Sequence, residues 1–426
     1  MNKHNKIKLN IKKLTVISIL FSMLFTVYGC TTTYHNDSMG IENAKKTPDK
    51  ENDIKNKDRK PPKINGLKFE KKLELKYAKG FDVFYYTNKK TNQTYKYIRV
   101  YNSGDYILVP DNSDDVKKLV GKKVQVIKCP SNNIYLAASA SMALFDRLDA
   151  LSYIKFSGTT AENWYIEDAK KAMENGDILF AGKYSQPDYE QLVSKKCSLA
   201  IESTMILHTP EVKEKLEELN IPVFIDTSSY ENNPLGRTEW IKLYGAMTNK
   251  EDVAQEFFDK QEEKVNSVSN LTSQNEKTQK IKKAPKVAFF FVNSTGKVVV
   301  RKSDDYIATM IGLGGGKYVF TNLKNSNENN KSGSVTISME EFYSKAKDCD
   351  YLIYNATIDA PIKSIDDLKT KNKLFKEFKA VKNNKVYSTD KYMYQATDIV
   401  GELVLDINYM INGKDEEMTF IKHIKE

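Results

Sequence analysis

Apolar residues change their spacing along the chain, and the changes mark its parts. Over residues 67–110 they alternate with polar ones between Lys-Gly, Asn-Lys-Lys and Ser-Gly-Asp breaks, which predicts antiparallel hairpins. Residues 123–128 and 134–137 read as short buried strands, followed by a helix over about 139–151. Strand 178–181, helix 188–195, strand 199–202, helix 210–219 and strand 223–226 come next, a β-loop-α rhythm that predicts parallel pairing. A second series runs through strand 286–292, helix 304–312, strand 318–320, helix 339–347 and strand 351–354. In both series an acidic-led short helix passes through Lys and Cys into a strand: YEQLVSKKCSLAI around Glu190 and EEFYSKAKDCDYLIY around Glu340. Two similar lobes are expected.

Between the series, the chain from residue 226 begins as a polar loop and becomes a long amphipathic helix over 250–271. Asn249 is placed to cap it, with Asp252 three residues on, and Val253, Ala254, Phe257, Phe258, Val265 and Val268 largely share one face. At 1.5 Å per residue such a helix extends about 33 Å, enough to join two lobes, although an ordinary core helix would have the same periodicity. The fold class expected is α/β, with two Rossmann-like lobes joined by one long helix and preceded by a β-rich hairpin extension. The corresponding division is signal peptide 1–29, tether 30–63, extension 64–122, first lobe 123–249, interlobe helix 250–280 and second lobe 281–426.

The front end changes where the protein is expected to sit. Residues 1–29 hold five lysines and no acid, and the apolar run 14–28 is shorter than the roughly 20 residues a spanning helix needs, so it reads as a secretion signal. VYGC resembles a bacterial lipobox, which makes Cys30 the lipidation site; an uncleaved anchor is the alternative. The next thirty or so residues are almost without apolar side chains and predict a disordered tether with a reach of about 30 Å. The expected location is the outer, extracytoplasmic face of the cell membrane, held by lipid.

Charge and cysteine usage then exclude several classes. The chain carries +10 formally, but five of its lysines lie in the signal, and with only five arginines and no basic helix a nucleic-acid partner is not expected. Cys129, Cys197 and Cys349 are odd in number and unpaired in sequence, so they read as buried thiols rather than a disulfide framework. His208 and His423 alone remain beyond the signal and tether, too few for most transition-metal cages. Gly312-Leu313-Gly314-Gly315-Gly316 precedes a strand and lacks the Lys-Ser/Thr of a phosphate loop, so it reads as a helix-ending turn. No G-x-S-x-G elbow, H-E-x-x-H motif or histidine-paired nucleophile is present, and the chain is read as a binder rather than an enzyme, without a resident cofactor.

In an open parallel sheet, ligands bind beyond the carboxyl ends of the strands. In the first lobe those loops hold Ser139, Ser141, Trp164, Ser203, Thr204, Ser228, Ser229 and Tyr230; in the second they hold the stretch 293–301, Asn355 and Tyr392. Each hydroxyl could equally bond its own backbone. Arg237 and Arg301 stand out in a lysine-rich chain because a guanidinium grips carboxylates and oxyanions through two bonds, and together they point to an anionic or oxygen-rich ligand. Pairing with a local acid such as Glu239 or Asp304 is the competing reading.

Three segments carry a resemblance: SSYENNPLGRTEW at 228–240, VRKSDDYIATMIGLGGGKYVF at 300–320 and LFKEFKAVKNNKVY at 374–387. Over about residues 123–412 the chain resembles the lipid-anchored substrate-binding proteins of ABC importers of the iron-siderophore and cobalamin type. The resemblance implies a monomer with two lobes bridged by one helix, a small-molecule cargo such as an iron(III) chelate, and a permease dimer with its ATPase as partner. It also implies one docking glutamate per lobe, at Glu190 and at Glu340 with Glu341 as rival. Cobalamin, heme or metal-ion cargo, and a non-transport surface or sensory lipoprotein, are the alternatives. The extension is longer than the family usually carries.

Overall fold

The structure, a computed structural model, describes residues 59–111, 120–121, 123–277, 283–323 and 333–425. Cys30, the signal and nearly all of the tether lie outside the described residues. The extension is one five-stranded sheet, ordered β1 (Leu67–Lys72), β2 (Phe81–Asn88), β3 (Thr94–Val100), β4 (Gly104–Pro110) and β5 (Val124–Cys129). The first four strands are antiparallel and β5 runs parallel to β4. The strand expected to open the first lobe at 123 therefore closes the extension instead. Alternation sends Phe81, Val83 and Tyr85 into the main core, while Phe84, Tyr86, Tyr95 and Tyr97 build a second cluster on the other face.

The first lobe follows: β6 (Ile134–Leu136), α1 (Ser139–Arg147), β7 (Ile154–Ser157), α2 (Glu167–Glu174), β8 (Leu179–Phe180), a small hairpin of β9 (Gly182–Lys183) and β10 (Gln186–Pro187), α3 (Tyr189–Ser194), β11 (Leu199–Ser203), α4 (Pro210–Glu218) and β12 (Val223–Asp226). Its sheet is parallel throughout, in the order β12-β11-β6-β7-β8. The outer edge of β12 is closed by side chains of the extension. The Val223 N–H donates to Gln125 Oε1 at 2.8 Å and the Ile225 N–H to the Tyr106 hydroxyl at 3.3 Å. An edge that would otherwise invite pairing with another chain is covered.

The later half of the stretch read as a polar loop is instead buried helix. It forms α5 (Pro234–Glu239) and α6 (Ile241–Thr248), in which every residue is buried. The long helix α7 (Glu251–Lys277) then packs on α6 at one end and on the second lobe at the other, burying Ala254, Phe258, Gln261, Val265 and Val268. Asn249 does not cap it. With φ of 57° it is the left-handed end of α6, and its side-chain oxygen accepts from Lys96 Nζ at 2.7 Å and Cys129 Sγ at 3.2 Å. Val253, placed on the apolar face from sequence, is exposed.

Two buried carboxylates of this segment hold the extension. Glu239 accepts the backbone N–H groups of Lys76, Tyr77 and Ala78 at 2.8–2.9 Å and pairs with Lys242 at 2.9 Å. Glu231 accepts those of Lys79 at 3.0 Å and Gly80 at 2.7 Å, together with the Trp240 indole at 3.1 Å.

The second lobe contains β13 (Lys286–Val292), β14 (Val298–Arg301), α8 (Tyr306–Leu313), β15 (Lys317–Tyr318), β16 (Ser334–Ile337), α9 (Met339–Ala346), β17 (Tyr351–Tyr354), α10 (Ile365–Lys371), α11 (Lys379–Lys382), β18 (Val386–Thr389), α12 (Val400–Asn412) and β19 (Ile421–His423). Its sheet is ordered β16-β14-β13-β17-β18-β19, with β15 beside β13. β13, β17 and β18 are parallel; the β14 hairpin and β19 are antiparallel additions. The Gly-rich run ends α8. Gly315 takes φ of 97°, and a Cβ on Gly314 would come within 2.5 Å of Ile407, so glycine lets α8 lie against α12. Cys197 and Cys349 are buried free thiols as expected, whereas Cys129, also free, is only partly buried.

Replacing Glu239 by Gln leaves Lys242 buried without its counter-charge and weakens three N–H contacts. Chemical denaturation should detect a loss of about 3–5 kcal/mol, and the Glu239→Gln, Lys242→Met pair should lose less than the single change.

Candidate functional site

The carboxyl ends of both sheets meet. Loops leaving β7 and β12 in the first lobe touch the loop after β18 and helix α8 in the second. On one flank the Tyr165 N–H donates to Gln395 Oε1 at 2.9 Å, Gln395 Nε2 donates to the Asn163 carbonyl at 2.9 Å, and the Tyr165 and Tyr394 rings are 6.3 Å apart. On the other, Thr309 Oγ1 donates to the Asn232 carbonyl at 3.3 Å and the Arg237 guanidinium lies 4.1 Å from the Tyr306 ring centroid. The base is closed by Thr238 Oγ1 on the Thr397 carbonyl at 2.8 Å and Thr397 Oγ1 on the Ala140 carbonyl at 2.5 Å. These contacts join the two lobes along the cleft line where their carboxyl ends face each other.

The cleft edges are unusually apolar for protein surface. Met205 and Leu207 after β11, Tyr230 after β12, Ile358 after β17 and Tyr394 after β18 are all exposed large side chains. Exposed apolar groups scattered singly need no explanation, but these share the carboxyl ends of strands from both lobes. Arg237 contributes the opposite chemistry. Only 8 % of it is exposed, no acid pairs with it among the described residues, and its Nε has no partner. An unpaired buried guanidinium is costly unless a ring face or an anion compensates it, and Tyr306 supplies the ring.

The structure places Ser203 and Thr204 at the end of β11 and Ser229, Tyr230 and Arg237 after β12, on the carboxyl side of the first lobe's sheet, while other expected site residues are engaged locally. Ser139 is half-buried at the start of α1. Ser141 is buried and donates to the Ala138 carbonyl at 2.7 Å. Trp164 is a core residue whose indole donates to Ser157 Oγ at 3.1 Å. Ser228 is buried with its N–H on Asp226 Oδ1 at 2.7 Å, and Asn355 is buried with its side-chain oxygen taken by Thr357 at 2.6 Å. Tyr392 stacks on Phe420, and burial pushes its phenol up to about 12.

Arg301 follows the competing reading, pairing with a local acid. It ends β14, which runs away from the carboxyl edge, and its guanidinium is held by Asp305 at 2.6 and 2.9 Å and by Ser334 Oγ at 2.9 Å. The acid is the one four residues on, not Asp304.

Sequence reading missed Tyr306, Tyr165, Gln395 and, on the apolar edge, Met205, Leu207 and Ile358, because none of them bears a charge or follows a motif. It missed Glu202 as well. This residue is next to last on β11 and buried, and neither carboxylate oxygen has a partner among the described residues; burial raises its pKa well above the usual carboxylate range. Two hollows of about 450 and 400 Å³ lie away from the cleft. One runs along α7 and the start of α12 beside the Arg147–Asp398 pair, the other between the extension and Glu251.

The fold and the cleft define a two-lobed binding protein, and the chain belongs to the periplasmic binding protein family, whose sequence profile matches residues 149–393. It is 27% identical over 357 residues to an uncharacterized lipoprotein of Methanocaldococcus jannaschii, a match covering 78% of this chain and 80% of that protein. Among solved structures it is similar to a possible iron-binding (periplasmic solute-binding) protein from Staphylococcus epidermidis, at 20% identity and a TM-score of 0.50, covering 65% of this chain and 97% of that one. It is also similar to a periplasmic heme binding protein from Pseudomonas aeruginosa, at 13% identity and a TM-score of 0.55, covering 69% and 98%. These likenesses establish the fold.

Arg301→Met should cost about 2 kcal/mol of stability by thermal or chemical unfolding, because it strands Asp305. Affinity for any cleft ligand should stay within about twofold, under 0.5 kcal/mol. A large affinity loss at unchanged stability would return Arg301 to the site.

Proposed function

We propose that this chain is a lipid-anchored, extracytoplasmic receptor that captures an iron(III) chelate between its lobes and delivers it to an ABC permease and its ATPase. Arg237 carries the reading. A buried cation with no acid partner among the described residues, beside aromatic and apolar side chains at the cleft edges, suits a ligand with an anionic oxygen-rich centre and an organic periphery. The iron would arrive held by its own chelator and need no protein ligands. A heme reading is favoured by one further observation: the exposed Met205 and His208 share the loop after β11, and thioether and imidazole are both axial ligands of heme iron.

Equilibrium dialysis of the whole mature protein against ferric siderophores, heme, cobalamin and free metal salts tests both readings. A ferric chelate should be retained and Arg237→Met should lower its affinity at least about tenfold, or 1.4 kcal/mol. Retention of heme alone would favour the second reading, and retention of nothing would sink both.

Docking is assigned to Glu190 and Glu340. Glu190 lies in the first turn of α3, whose cap residue Asp188 donates its N–H to the Ala181 carbonyl at 2.9 Å, beside the end of β8. Glu340 lies in the first turn of α9, directly after β16, which runs the same way as β13. Both are exposed and both sit on the carboxyl-end side of their sheets. Hydrogen bonds from its own N–H and from Ser338 hold the Glu340 carboxyl below its usual range, so it is charged at neutral pH. Glu341 reaches Lys345 at 3.8 Å and is the less free of the two. Lysine at both Glu190 and Glu340 should leave ligand affinity intact and depress uptake in cells well beyond what one exposed ion pair provides. Normal uptake would remove the pair from docking.

A further inference from the structure

Positive charge is not spread evenly over the molecule. Residues 59–129 hold 17 lysines and arginines against 7 acids, whereas residues 130–426 hold 39 against 43. Part of the excess is consumed internally. Arg59 and Lys72 reach Asp82 at 3.4 and 2.9 Å, Arg99 reaches Asp105 at 3.1 Å, and Lys76 and Lys96 reach Glu262 and Glu251 at 2.5 Å. Lys60, Lys63, Lys71, Lys79, Lys89, Lys90 and Lys123 are exposed and have no acid partner among the described residues. Lys128 donates only to the Asp111 carbonyl at 2.8 Å, and Lys68 meets only its strand neighbour Glu70 at 3.3 Å.

Lys63, Lys68, Lys89, Lys90 and Lys128 share one end of the extension sheet, against Lys79 and Lys123 before the starts of β2 and β5 at the other. Leu67 is paired with Asn88, the Lys89 N–H donates to the Gly66 carbonyl at 3.0 Å, and a turn from Ile64 to Leu67 brings Lys63 alongside. Lys128 lies at the end of β5 against Val109, and β4 there adjoins the start of β3. The Asn88 side chain accepts from the N–H groups of Lys90 and Thr91 at 2.8 and 3.2 Å and fixes the hairpin that presents Lys89 and Lys90. The opposite end of the sheet lies by the carboxyl end of β12, where Ser103 Oγ donates to the Ile225 carbonyl at 3.5 Å. The lysine end therefore faces away from the cleft edge.

We propose that this lysine end is a landing surface for anionic lipid headgroups, and that it holds the tethered body with its cleft turned outward between encounters with the permease. The inference rests on the lipid-anchored reading above. In the lipid-anchored reading the extension is the nearest described part of the chain to Cys30, so headgroups are at high local concentration. Lysine suits such a surface because it meets diffuse negative charge as a point charge without demanding bidentate geometry. The exposed glutamates on the cleft side are repelled by the same surface, which favours one orientation.

The test uses the full mature chain carrying Cys30→Ser, so that no lipid contributes, sedimented with vesicles of phosphatidylcholine with or without phosphatidylglycerol. Binding should require phosphatidylglycerol, disappear at raised salt and fall roughly a hundredfold in Lys63→Gln, Lys89→Gln, Lys90→Gln, at about fivefold per charge. Neutralising Lys213, Lys215 and Lys369 on the lobes should leave it unchanged. Equal binding to neutral vesicles, full binding by the extension triple variant, or binding only to soluble polyanions would overturn the proposal. Chelate retention by dialysis is read separately: vesicle binding without it faults the transport reading alone, and retention without vesicle binding faults this proposal alone.

Discussion

Five consecutive backbone N–H groups, from Lys76 to Gly80, end on two buried carboxylates, Glu239 and Glu231. An irregular segment cannot enter a core unless its polar groups are met, and here the acceptors come from α5 and from the turn just before it. Because carboxylates rather than carbonyls do this, each bond is charge-assisted, and both Glu239 oxygens and Glu231 Oε1 accept more than one donor. Lys242 and the Trp240 indole complete the arrangement. The extension is thereby part of the body: the Phe81 ring stacks edge-on to Trp240 at 4.9 Å, and Tyr106 meets Phe224 at the same distance.

The same short segment serves two neighbours. Glu239 and Lys242 point to the extension while Arg237 and Thr238, one turn or less away on α5, point to the second lobe. That explains why residues 234–248 are buried throughout despite three charges. It also bears on motion. A cleft whose floor is a buried helix locked to three bodies, with α7 packed along both lobes, is poorly suited to wide hinge closure and better suited to a preformed site.

Periodicity made most elements legible. The alternation in 67–110 and the β-loop-α rhythm correspond to strands and helices that exist, because in both cases one face is buried and the other is not. The junction was illegible for the converse reason. A segment buried all round by different neighbours has no amphipathic period, and its Asn, Glu, Arg and Thr look like loop residues until their partners are known. Asn249 illustrates a narrower limit: the same side chain caps a helix start or ends a helix in the left-handed region, and only φ distinguishes them. The placement of β5 depended on a pairing partner, β4, that lies beyond a break in the pattern.

Arg237 and Arg301 mark where candidate-site reading from sequence stops. Each is an isolated guanidinium near an acid two to four residues away, and composition ranks them equally. In the folded chain Glu239 is taken by backbone donors and Lys242, so Arg237 is left with a tyrosine face, whereas Asp305 has a free carboxylate edge and closes on Arg301. Competition for the acid therefore decides which arginine remains available to a ligand. Tyr306 lies between the outcomes, 4.1 Å from one guanidinium and 5.7 Å from the other. The pair held by Asp305 fixes the ring through the start of α8, and the fixed ring in turn positions the free guanidinium at the cleft, so the structural arginine supports the one assigned to binding.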